Sequence, residues 1–246
     1  MCCWDRFDRK TVLYFTGNRG SRVPAMENEL SRIGLEGAER QWNFPCPLDR
    51  TIRKMIPHEG GVERDGYFNC SMGHYRAIST AYHLGAEHAL FMEDDIRFLN
   101  DTSEIECAVA ALPDDYDVAM MDWFCIKKRD GSGIALARGW RDERRVNAYW
   151  SEFDRLFSAG CYALSRIGME RIMLGFELSA TDRKNGKFRI IDHYMDRNVI
   201  GNGARMYFAG KNIAIQREIG SSNSSGYDIA EKYKALGIRM EDYAEA

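Results

Sequence analysis

A short apolar run that passes directly into three acidic residues constrains this chain more than any other feature. Residues 89–92 are Ala, Leu, Phe and Met, and Glu93, Asp94 and Asp95 follow at once. Four apolar residues without polar alternation favour a strand that is buried on both faces. We call the three acids the acidic trio and predict that they lie at the carboxyl end of that strand. In an open α/β sheet, ligands collect at this edge.

The pattern around the acidic trio alternates predicted strands with predicted helices. Strands are predicted over 11–16, 118–121, 158–164, 206–208 and 213–215. Helices are predicted with Pro24 at a first helical position, Ser71 as an N-cap, Thr102 or Ser103 at a start, and Ser165 as a cap. The turn residues at 130–133 favour a hairpin. This order of elements predicts an α/β fold.

We expect a single domain over residues 1–246, because the sequence contains no internal repeat and no interdomain linker. The Gly- and Ser-rich stretch over 220–226 is typical of a mobile segment. The charged residues after it favour a helix. The region 220–246 is therefore predicted to be a mobile loop followed by a carboxy-terminal helix.

The charge balance argues against a nucleic-acid-binding protein. The chain has 34 basic and 37 acidic side chains, so its formal net charge is −3. No apolar run approaches the roughly 18 to 20 residues that cross a bilayer, and residues 1–10 are too polar for a signal peptide. We therefore expect a cytoplasmic protein with at most peripheral membrane contact.

The cysteines and histidines follow no pattern typical of a disulfide framework or a zinc site. The seven cysteines include no Cys-x-x-Cys pair, and the five histidines form neither His-Glu-x-x-His nor a tight cluster with cysteine. We interpret the cysteines as reduced thiols. The glycine-rich dinucleotide motif and the Walker phosphate loop are also absent from the sequence, which disfavours dinucleotide and ATP enzymes.

The acidic trio itself predicts a cation. Like charges crowded this closely repel one another unless a cation lies among them, and oxygen ligands favour Mg²⁺ or Mn²⁺. Such an ion would normally be shared with a diphosphate. The alternative is a solvated acidic turn after a strand.

Several blocks of the sequence, in order, resemble glycosyltransferase family 25. This family has a GT-A nucleotide-sugar-binding fold and includes bacterial lipopolysaccharide sugar transferases and collagen galactosyltransferases. Cys70 and His74 match a Gly-Cys-x-x-Ser-His motif of the family, although its Gly and Ser are replaced here, and the acidic trio matches its Glu-Asp-Asp. Looser matches cover an Arg-containing loop at 15–22, a small-residue strand and helix at 158–173, an apolar-Asp segment at 190–192 and a late strand with a Ser-rich stretch at 213–225.

The resemblance implies a GT-A-like fold with a mixed, mainly parallel central sheet flanked by helices. It also implies a UDP-sugar donor, and Mn²⁺ or Mg²⁺ to stabilise the charge of the leaving diphosphate. Glu93 and Asp95 occupy the outer places of an Asp-x-Asp-like motif. Asp95 is then the predicted metal ligand, Glu93 contacts metal or ribose, and Asp94 could substitute for either.

The first strand is followed by candidate donor contacts at Thr16, Arg19 and Arg22. The two arginines could pair with phosphate or hydrogen-bond the base, since a guanidinium presents a rigid fork of donors. Their alternative is a pair of solvated loop residues.

An inverting transfer, as the family implies, needs a base for the acceptor hydroxyl. Asp192 is our candidate, and its alternative is a helix N-cap. Asp122 is the alternative base or acceptor contact. Trp123 could stack on a sugar or belong to the core. His74 is expected to pack or to orient the acidic trio, and not to be a ligand.

These observations predict a metal-dependent inverting glycosyltransferase. It would move a hexose such as galactose from a UDP-sugar to a saccharide or lipid-linked saccharide acceptor. Residues 127–145 contain seven basic and three acidic side chains and could bind an anionic acceptor, or could form a solvated hairpin. Two other functions remain open: a metal-dependent phosphoester hydrolase, and a degenerate nucleotide- or carbohydrate-binding domain.

Overall fold

A large central sheet organises the chain in the computed structural model. The structure describes residues 2–15, 19–43, 65–123, 126–129, 133–136, 144–153, 158–181, 191–195, 200–201, 203–217, 233–234 and 238–243. The strands are β1 (Arg9–Phe15), β2 (Glu39–Asn43), β3 (His88–Glu93), β4 (Ile96–Phe98), β5 (Val118–Met120), β6 (Ile126–Arg129), β7 (Gly133–Leu136), β8 (Arg144–Arg145), β9 (Trp150–Glu152), β10 (Cys161–Ser165), β11 (Met206–Ala209) and β12 (Ala214–Gln216). The α-helices are α1 (Arg19–Arg32), α2 (Asp65–His83), α3 (Thr102–Ala110) and α4 (Arg166–Thr181). Short 3-10 helices cover Cys3–Arg6, Ile191–Met195 and Met240–Asp242.

The central sheet has eight strands in the order β2-β1-β3-β10-β5-β11-β9-β8. β2, β1 and β3 pair in parallel, as do β5 and β11, whereas β10 is antiparallel to both of its neighbours and β9 to both of its own. All strands of the sheet except β10 and β9 therefore point in one direction. The prediction of an α/β fold with a mixed, mainly parallel sheet is confirmed. The predicted hairpin is also confirmed, because β6 pairs with β7.

Helices cover both faces of the sheet. Side chains of β1 alternate between two apolar clusters, with Val12 and Tyr14 in one and Leu13 in the other. The cluster of Val12 contains the inward faces of α1 and α3, and that of Leu13 contains those of α2 and α4. A strand packed in this way is apolar at every position, as the run before the acidic trio predicts.

The topology gathers several chain segments at one edge of the sheet. β3 and β5 flank antiparallel β10, with Cys161 opposite Met92 and Tyr162 opposite Met120. The carboxyl ends of β3 and β5 therefore lie beside the amino end of β10. Residues that follow β3 and β5 and residues that precede β10 meet at this edge.

Two predicted helix starts are wrong. α1 begins at Arg19, so Pro24 lies inside the helix. α2 begins at Asp65, and Ser71 is not its N-cap but a buried mid-helix residue whose Oγ accepts a hydrogen bond from the backbone of Ile191. Both errors arise because a residue suited to a helix start is also tolerated further in when tertiary contacts outweigh local preference.

The caps of the two later helices follow the sequence more closely. α3 begins at Thr102, as predicted, with Asp101 as its N-cap. Ser165 precedes α4, and its Oγ accepts a hydrogen bond of 3.1 Å from the backbone of Gly168, as a helix cap does.

Most of the region predicted to be a mobile loop followed by a helix, including residues 218–232, lies outside the described residues. Tyr233 and the residue after it are helical, and a 3-10 helix covers Met240–Asp242. The single-domain organisation stays a prediction. Among the helices in the described ranges, none combines the length and apolar character that a membrane span requires.

Candidate active site

The acidic trio lies at the carboxyl end of β3 and is buried. Glu93 is 9% exposed, Asp94 2% and Asp95 7%. Glu93 is the last residue of the strand, and the chain re-enters a strand at Ile96. The alternative of a solvated acidic turn is therefore wrong. Three buried carboxylates need partners that offset the loss of hydration.

Arg22 of α1 supplies part of that compensation. Its guanidinium donates a hydrogen bond of 3.1 Å to Oδ1 of Asp94, and it forms an ion pair of 3.3 Å with Oδ2 of Asp95. The backbone of Phe15 donates a hydrogen bond of 3.1 Å to the other oxygen of Asp94. Oδ1 of Asp95 is buried and has no hydrogen-bond partner in the described part of the chain.

Glu93 is held by a separate set of side chains. Its Oε1 lies 2.9 Å from Nε2 of His74 and accepts a hydrogen bond of 3.3 Å from the Cys70 thiol. Its Oε2 lies 3.4 Å from the amide nitrogen of Gln216. Nδ1 of His74 lies 2.7 Å from the hydroxyl of Tyr162. The expectation that His74 orients the acidic trio is confirmed.

Asp122, which follows β5, is fully buried beside this group. Its Oδ2 accepts a hydrogen bond of 2.5 Å from Ser158, and its Oδ1 accepts bonds of 2.8 Å from Tyr233 and 3.4 Å from Asn212. A Cβ at Gly160 would collide with Oδ2 of Asp122, so this position requires glycine for the close approach. The carboxylate is thus fixed by the segment before β10, by the segment before β12 and by the carboxy-terminal region.

Burial raises the pKa values of Asp94, Asp95 and Asp122. Burial first, and then the charge of Glu93, raise the pKa of Asp95 to about 8, although Arg22 acts against this change. Burial also raises the pKa of Asp94 to about 6 and that of Asp122 to about 7. Among the described residues, Arg22 and Arg217 are the guanidinium groups that interact with Asp95, and they are outnumbered by the carboxylates of Glu93, Asp94, Asp95 and Asp122. The site is therefore suited to bind a cation.

Asp192 is the second residue of the 3-10 helix Ile191–Met195 and is partly buried. It therefore lies within the first turn of that helix and not at its N-cap. Its charge raises the pKa of Cys70, Tyr162 and Asp122, which places it within electrostatic reach of all three. The structure thus brings Asp192 and Asp122 to the same region.

Of the other residues singled out in the sequence, Trp123 belongs to the core and the rest lie mainly outside the described residues. Trp123 is 7% exposed, its Nε1 donates a hydrogen bond of 2.6 Å to the carbonyl of Ala209, and its ring packs edge-on against Phe208. Its assignment to the core is confirmed. Thr16, the side chain of Arg19 and most of the basic stretch 127–145 lie outside the described residues.

Sequence reasoning missed several members of the site. They are Cys70 as a contact of Glu93, together with Ser158, Tyr162, Gln216 and Tyr233. Ser158 begins the predicted strand 158–164, but its position beside Asp122 depends on β10 pairing antiparallel to β5, which the sequence does not show. Cys70 and His74 lie four residues apart on a helix, and this spacing puts both side chains on one face. Tyr233 carries no such signal.

The fold is similar to those of several solved structures. Mannose-1-phosphate geranyltransferase from Thermus thermophilus is 11% identical, with a TM-score of 0.40 over 85% of this chain and 74% of that chain. A glycosyltransferase involved in the glycosylation of the major capsid of PBCV-1 is 10% identical, with a TM-score of 0.45 over 93% of this chain and 98% of that chain. GalNAc-T7, solved with UDP, GalNAc and Mn²⁺, is 9% identical, with a TM-score of 0.49 over 95% of this chain and 49% of that chain.

No protein-family model matches the sequence, and no curated protein matches it significantly. Membership of glycosyltransferase family 25 therefore stays a prediction. Similarities with TM-scores below 0.5 do not assign a function to this chain, so the residues of the site have to support one.

Proposed function

We propose that this chain is a metal-dependent glycosyltransferase with a GT-A-like fold. In this proposal it transfers a hexose such as galactose, with inversion, from a UDP-sugar to a saccharide or lipid-linked saccharide acceptor. The donor class and the stereochemistry rest on the resemblance to family 25. The support that the structure adds is the chemistry of the acidic trio and of the carboxylates around it.

The observation that carries the proposal is the second oxygen of Asp95. Oδ1 is buried without a hydrogen-bond partner among the described residues, and burial together with the charge of Glu93 raises the pKa of this group. An unsatisfied buried carboxylate oxygen is costly, so a ligand at this position is favoured. The surrounding charge is negative, so the ligand should be a cation, and the oxygen donors suit Mn²⁺ or Mg²⁺.

Asp95 and Glu93 are the residues proposed to hold the ion. When bound, Mn²⁺ or Mg²⁺ supplies positive charge that neutralises the departing diphosphate. Arg22 keeps Asp94 and Asp95 in one orientation, because its two terminal nitrogens contact one carboxylate each. His74 and Cys70 do the same for Glu93 through contacts with Oε1.

Donor contacts are proposed for the segment after β1. β1 lies next to β3 in parallel, so the chain leaves β1 after Phe15 at the same edge as the acidic trio. Thr16 and Arg19 come next in the sequence. Arg22 is already engaged with Asp94 and Asp95, so its contribution to diphosphate binding is to the orientation of these acids.

Asp192 is the proposed base for the acceptor hydroxyl. It is partly exposed, whereas Asp122 is fully buried and bonded to Ser158 and Tyr233. A base has to come within hydrogen-bond distance of its substrate, which favours the more accessible carboxylate. Asp122 is the alternative, because burial raises its pKa to about 7, a value suited to proton transfer near neutral pH.

The experiment that tests the proposal is a screen of nucleotide sugars by thermal shift and by donor hydrolysis, with and without Mn²⁺. Asp95→Asn is measured in parallel, and Asp114→Asn serves as the control because the Asp114 side chain is fully exposed. We expect one UDP-sugar to raise the Tm of the wild type and of Asp114→Asn only when Mn²⁺ is present. Asp95→Asn should lose this response.

The same screen separates the other functions. Release of phosphate from simple esters without sugar transfer would indicate a hydrolase. Binding of a nucleotide sugar without turnover, on any acceptor in a panel of saccharides, would indicate a degenerate binding domain. A wild type that responds to no nucleotide would overturn the proposal.

A further inference from the structure

A cysteine, a histidine and a glutamate from two different elements meet beside the acidic trio. Cys70 Sγ, His74 Nε2 and Glu93 Oε1 all lie within 4.8 Å of one another. His74 and Glu93 are buried and Cys70 is partly buried. The sequence analysis found no cluster of cysteine and histidine. It missed that Cys70 and His74 lie on one helix and that Glu93, at the end of a strand, completes the cluster.

From this cluster we infer a second metal site, selective for Zn²⁺, with Cys70, His74 and Glu93 as ligands. It shares Glu93 with the proposed Mn²⁺ or Mg²⁺ site and differs from that site in its other two ligands. Sulfur and imidazole are ligands that Zn²⁺ prefers, whereas Mg²⁺ and Mn²⁺ prefer oxygen. The inference goes beyond the proposed function and does not depend on which reaction the chain performs.

The distances suit a tetrahedral ion. With Zn–S at about 2.3 Å and Zn–N or Zn–O at about 2.0 to 2.1 Å, neighbouring ligand atoms lie about 3.3 to 3.6 Å apart. Here Nε2 of His74 is 2.9 Å and Sγ of Cys70 is 3.3 Å from Oε1 of Glu93. Sγ of Cys70 and Nε2 of His74 lie within 4.8 Å of one another, so closure of the cluster around an ion would bring the three atoms into coordinating positions.

The surroundings of His74 resemble the outer shell of a zinc site. Its Nδ1 lies 2.7 Å from the Tyr162 hydroxyl, so one ring nitrogen is held while Nε2 faces Glu93 and Cys70. A histidine that binds zinc usually has its other nitrogen fixed by such a polar partner. Cys70 and His74 are one helical turn apart on α2, so the helix sets their separation.

Zinc binding at this cluster requires the Cys70 thiol to lose its proton. Burial and the charges of Glu93 and Asp192 raise the pKa of Cys70 well above its ordinary value. Without a cation the thiol therefore keeps its proton at neutral pH and is a poor nucleophile. Zn²⁺ would displace that proton, so binding should release acid and should weaken as the pH falls.

Zinc bound here would connect α2 to the end of β3, because two ligands belong to the helix and one to the strand. It would also hold Glu93, and with it the acidic trio, through a bond stronger than the present hydrogen bonds. The expected consequence is a higher Tm with Zn²⁺, separate from any effect of Mn²⁺ at Asp95.

The test uses the full chain, stripped of metal with a chelator. Zn²⁺ is titrated against a chromophoric competitor, and Co²⁺ is added as a spectroscopic probe. We expect one tight Zn²⁺ per chain and a thiolate-to-cobalt charge-transfer band in the near ultraviolet. Zinc X-ray absorption on the wild type, which needs no variant, should show one sulfur at about 2.3 Å.

Variants assign the ligands. Cys70→Ser and His74→Gln should lose the cobalt band and the tight zinc, while Cys107→Ser, at an exposed cysteine, should keep both. Tyr162→Phe should weaken zinc binding by about 10- to 100-fold, since it removes the partner of Nδ1. Asp95→Asn should keep the cobalt band even though its Mn²⁺ response is lost, so the two metal sites can fail independently.

The inference is overturned by X-ray absorption without sulfur, or by zinc binding that Cys70→Ser leaves unchanged. Absence of stoichiometric zinc in the wild type would overturn it too, and would leave a hydrogen-bonded cluster only.

Discussion

The hydroxyl of Tyr233 donates a hydrogen bond of 2.8 Å to Oδ1 of Asp122, across 111 positions of sequence. Both side chains are buried. The backbone of Gln216 donates a further bond of 2.9 Å to the same hydroxyl. One tyrosine therefore joins the carboxy-terminal region to β12 and to a carboxylate at the edge where the acidic trio lies.

Tyr233→Phe should alter both stability and pH dependence. The bond from Tyr233 lowers the pKa of Asp122, which burial raises to about 7, so its removal should raise that pKa further. Loss of a buried hydrogen bond should reduce the free energy of unfolding by about 1 to 3 kcal/mol. Urea unfolding measures the second effect. If Asp122 takes part in catalysis, the acidic limb of the pH profile of transfer should shift to higher pH.

Tyr116→Phe is the matched control. Tyr116 is also buried, and its hydroxyl lies 3.0 Å from Nδ1 of His88, away from the acidic trio. It should lose stability without any change in the pH profile. Equal shifts in the two variants would show that the pH effect reflects general loosening and not Asp122.

Arg22→Gln should be strongly destabilising. The Arg22 side chain is 5% exposed and contacts both Asp94 and Asp95, so its loss removes the cation that the two carboxyl groups share, and the cost should be largest above about pH 8, where both are ionised. Breaking a buried ion pair by removal of one partner costs about 3 to 5 kcal/mol. Arg22→Lys should recover only part of this, because an ammonium cannot reproduce the fork. The measurement is urea unfolding of the metal-free protein.

Arg239→Gln provides the comparison for Arg22. Arg239 pairs with Asp242 at 2.8 Å, but its side chain is 69% exposed. Water screens such a pair, so its loss should cost less than about 1 kcal/mol. Similar costs for both arginines would mean that the contacts of Arg22 do not act as a buried ion pair.

The strand that carries the acidic trio was predictable because its burial leaves a continuous apolar run in the sequence. β3 runs from His88 to Glu93, close to the predicted bounds. The helix starts were less predictable, since Ser71 has the chemistry of a cap but bonds instead to the backbone of Ile191, 120 positions away. Local sequence does not encode a contact at that separation.

The same distinction explains what was missed in the site. Asp122 was predictable because it follows a strand, whereas its bonds to Ser158 and Tyr233 depend on strand order. The strand order in turn depends on β10 inserting antiparallel between β3 and β5, which leaves no trace in the sequence of either neighbour. The cluster of Cys70, His74 and Glu93 was missed because it joins two residues of a helix to a strand residue 19 positions beyond His74, and only the packing of α2 against the end of β3 brings them together.

Gly160→Ala should displace the carboxylate of Asp122 and so disrupt the site. A methyl group there would collide with Oδ2 of Asp122 and would crowd Gln216 and Ile96 at 3.3 Å. Overpacking of a buried position costs about 1 to 3 kcal/mol. We expect this loss in thermal unfolding together with a fall in transfer activity. Gly37→Ala, with open space around its Cβ, should change neither stability nor activity. A Gly160→Ala variant with the stability and activity of the wild type would contradict the close packing around Asp122.

The buried carboxyls predict that the metal-free protein loses stability as the pH rises. The pKa values of Asp94, Asp122 and Asp95 are raised to about 6, 7 and 8 from an ordinary value of 3.8. Between about pH 4 and pH 8 the unfolded chain releases these protons while the folded chain retains them. The free energy of unfolding should therefore fall across this range, as urea unfolding in the presence of a chelator can measure.

Asp95→Asn should flatten this dependence. At pH 8 the metal-free variant should be more stable than the wild type by a few kcal/mol, since each unit of raised pKa corresponds to roughly 1.4 kcal/mol. Excess Mn²⁺ should flatten the dependence of the wild type but not of the variant, because a cation at Asp95 compensates the ionised carboxylate. Asp114→Asn, at a fully exposed side chain, should leave the slope unchanged. A metal-free wild type whose stability rises with pH over this range is incompatible with carboxylates buried as the structure places them.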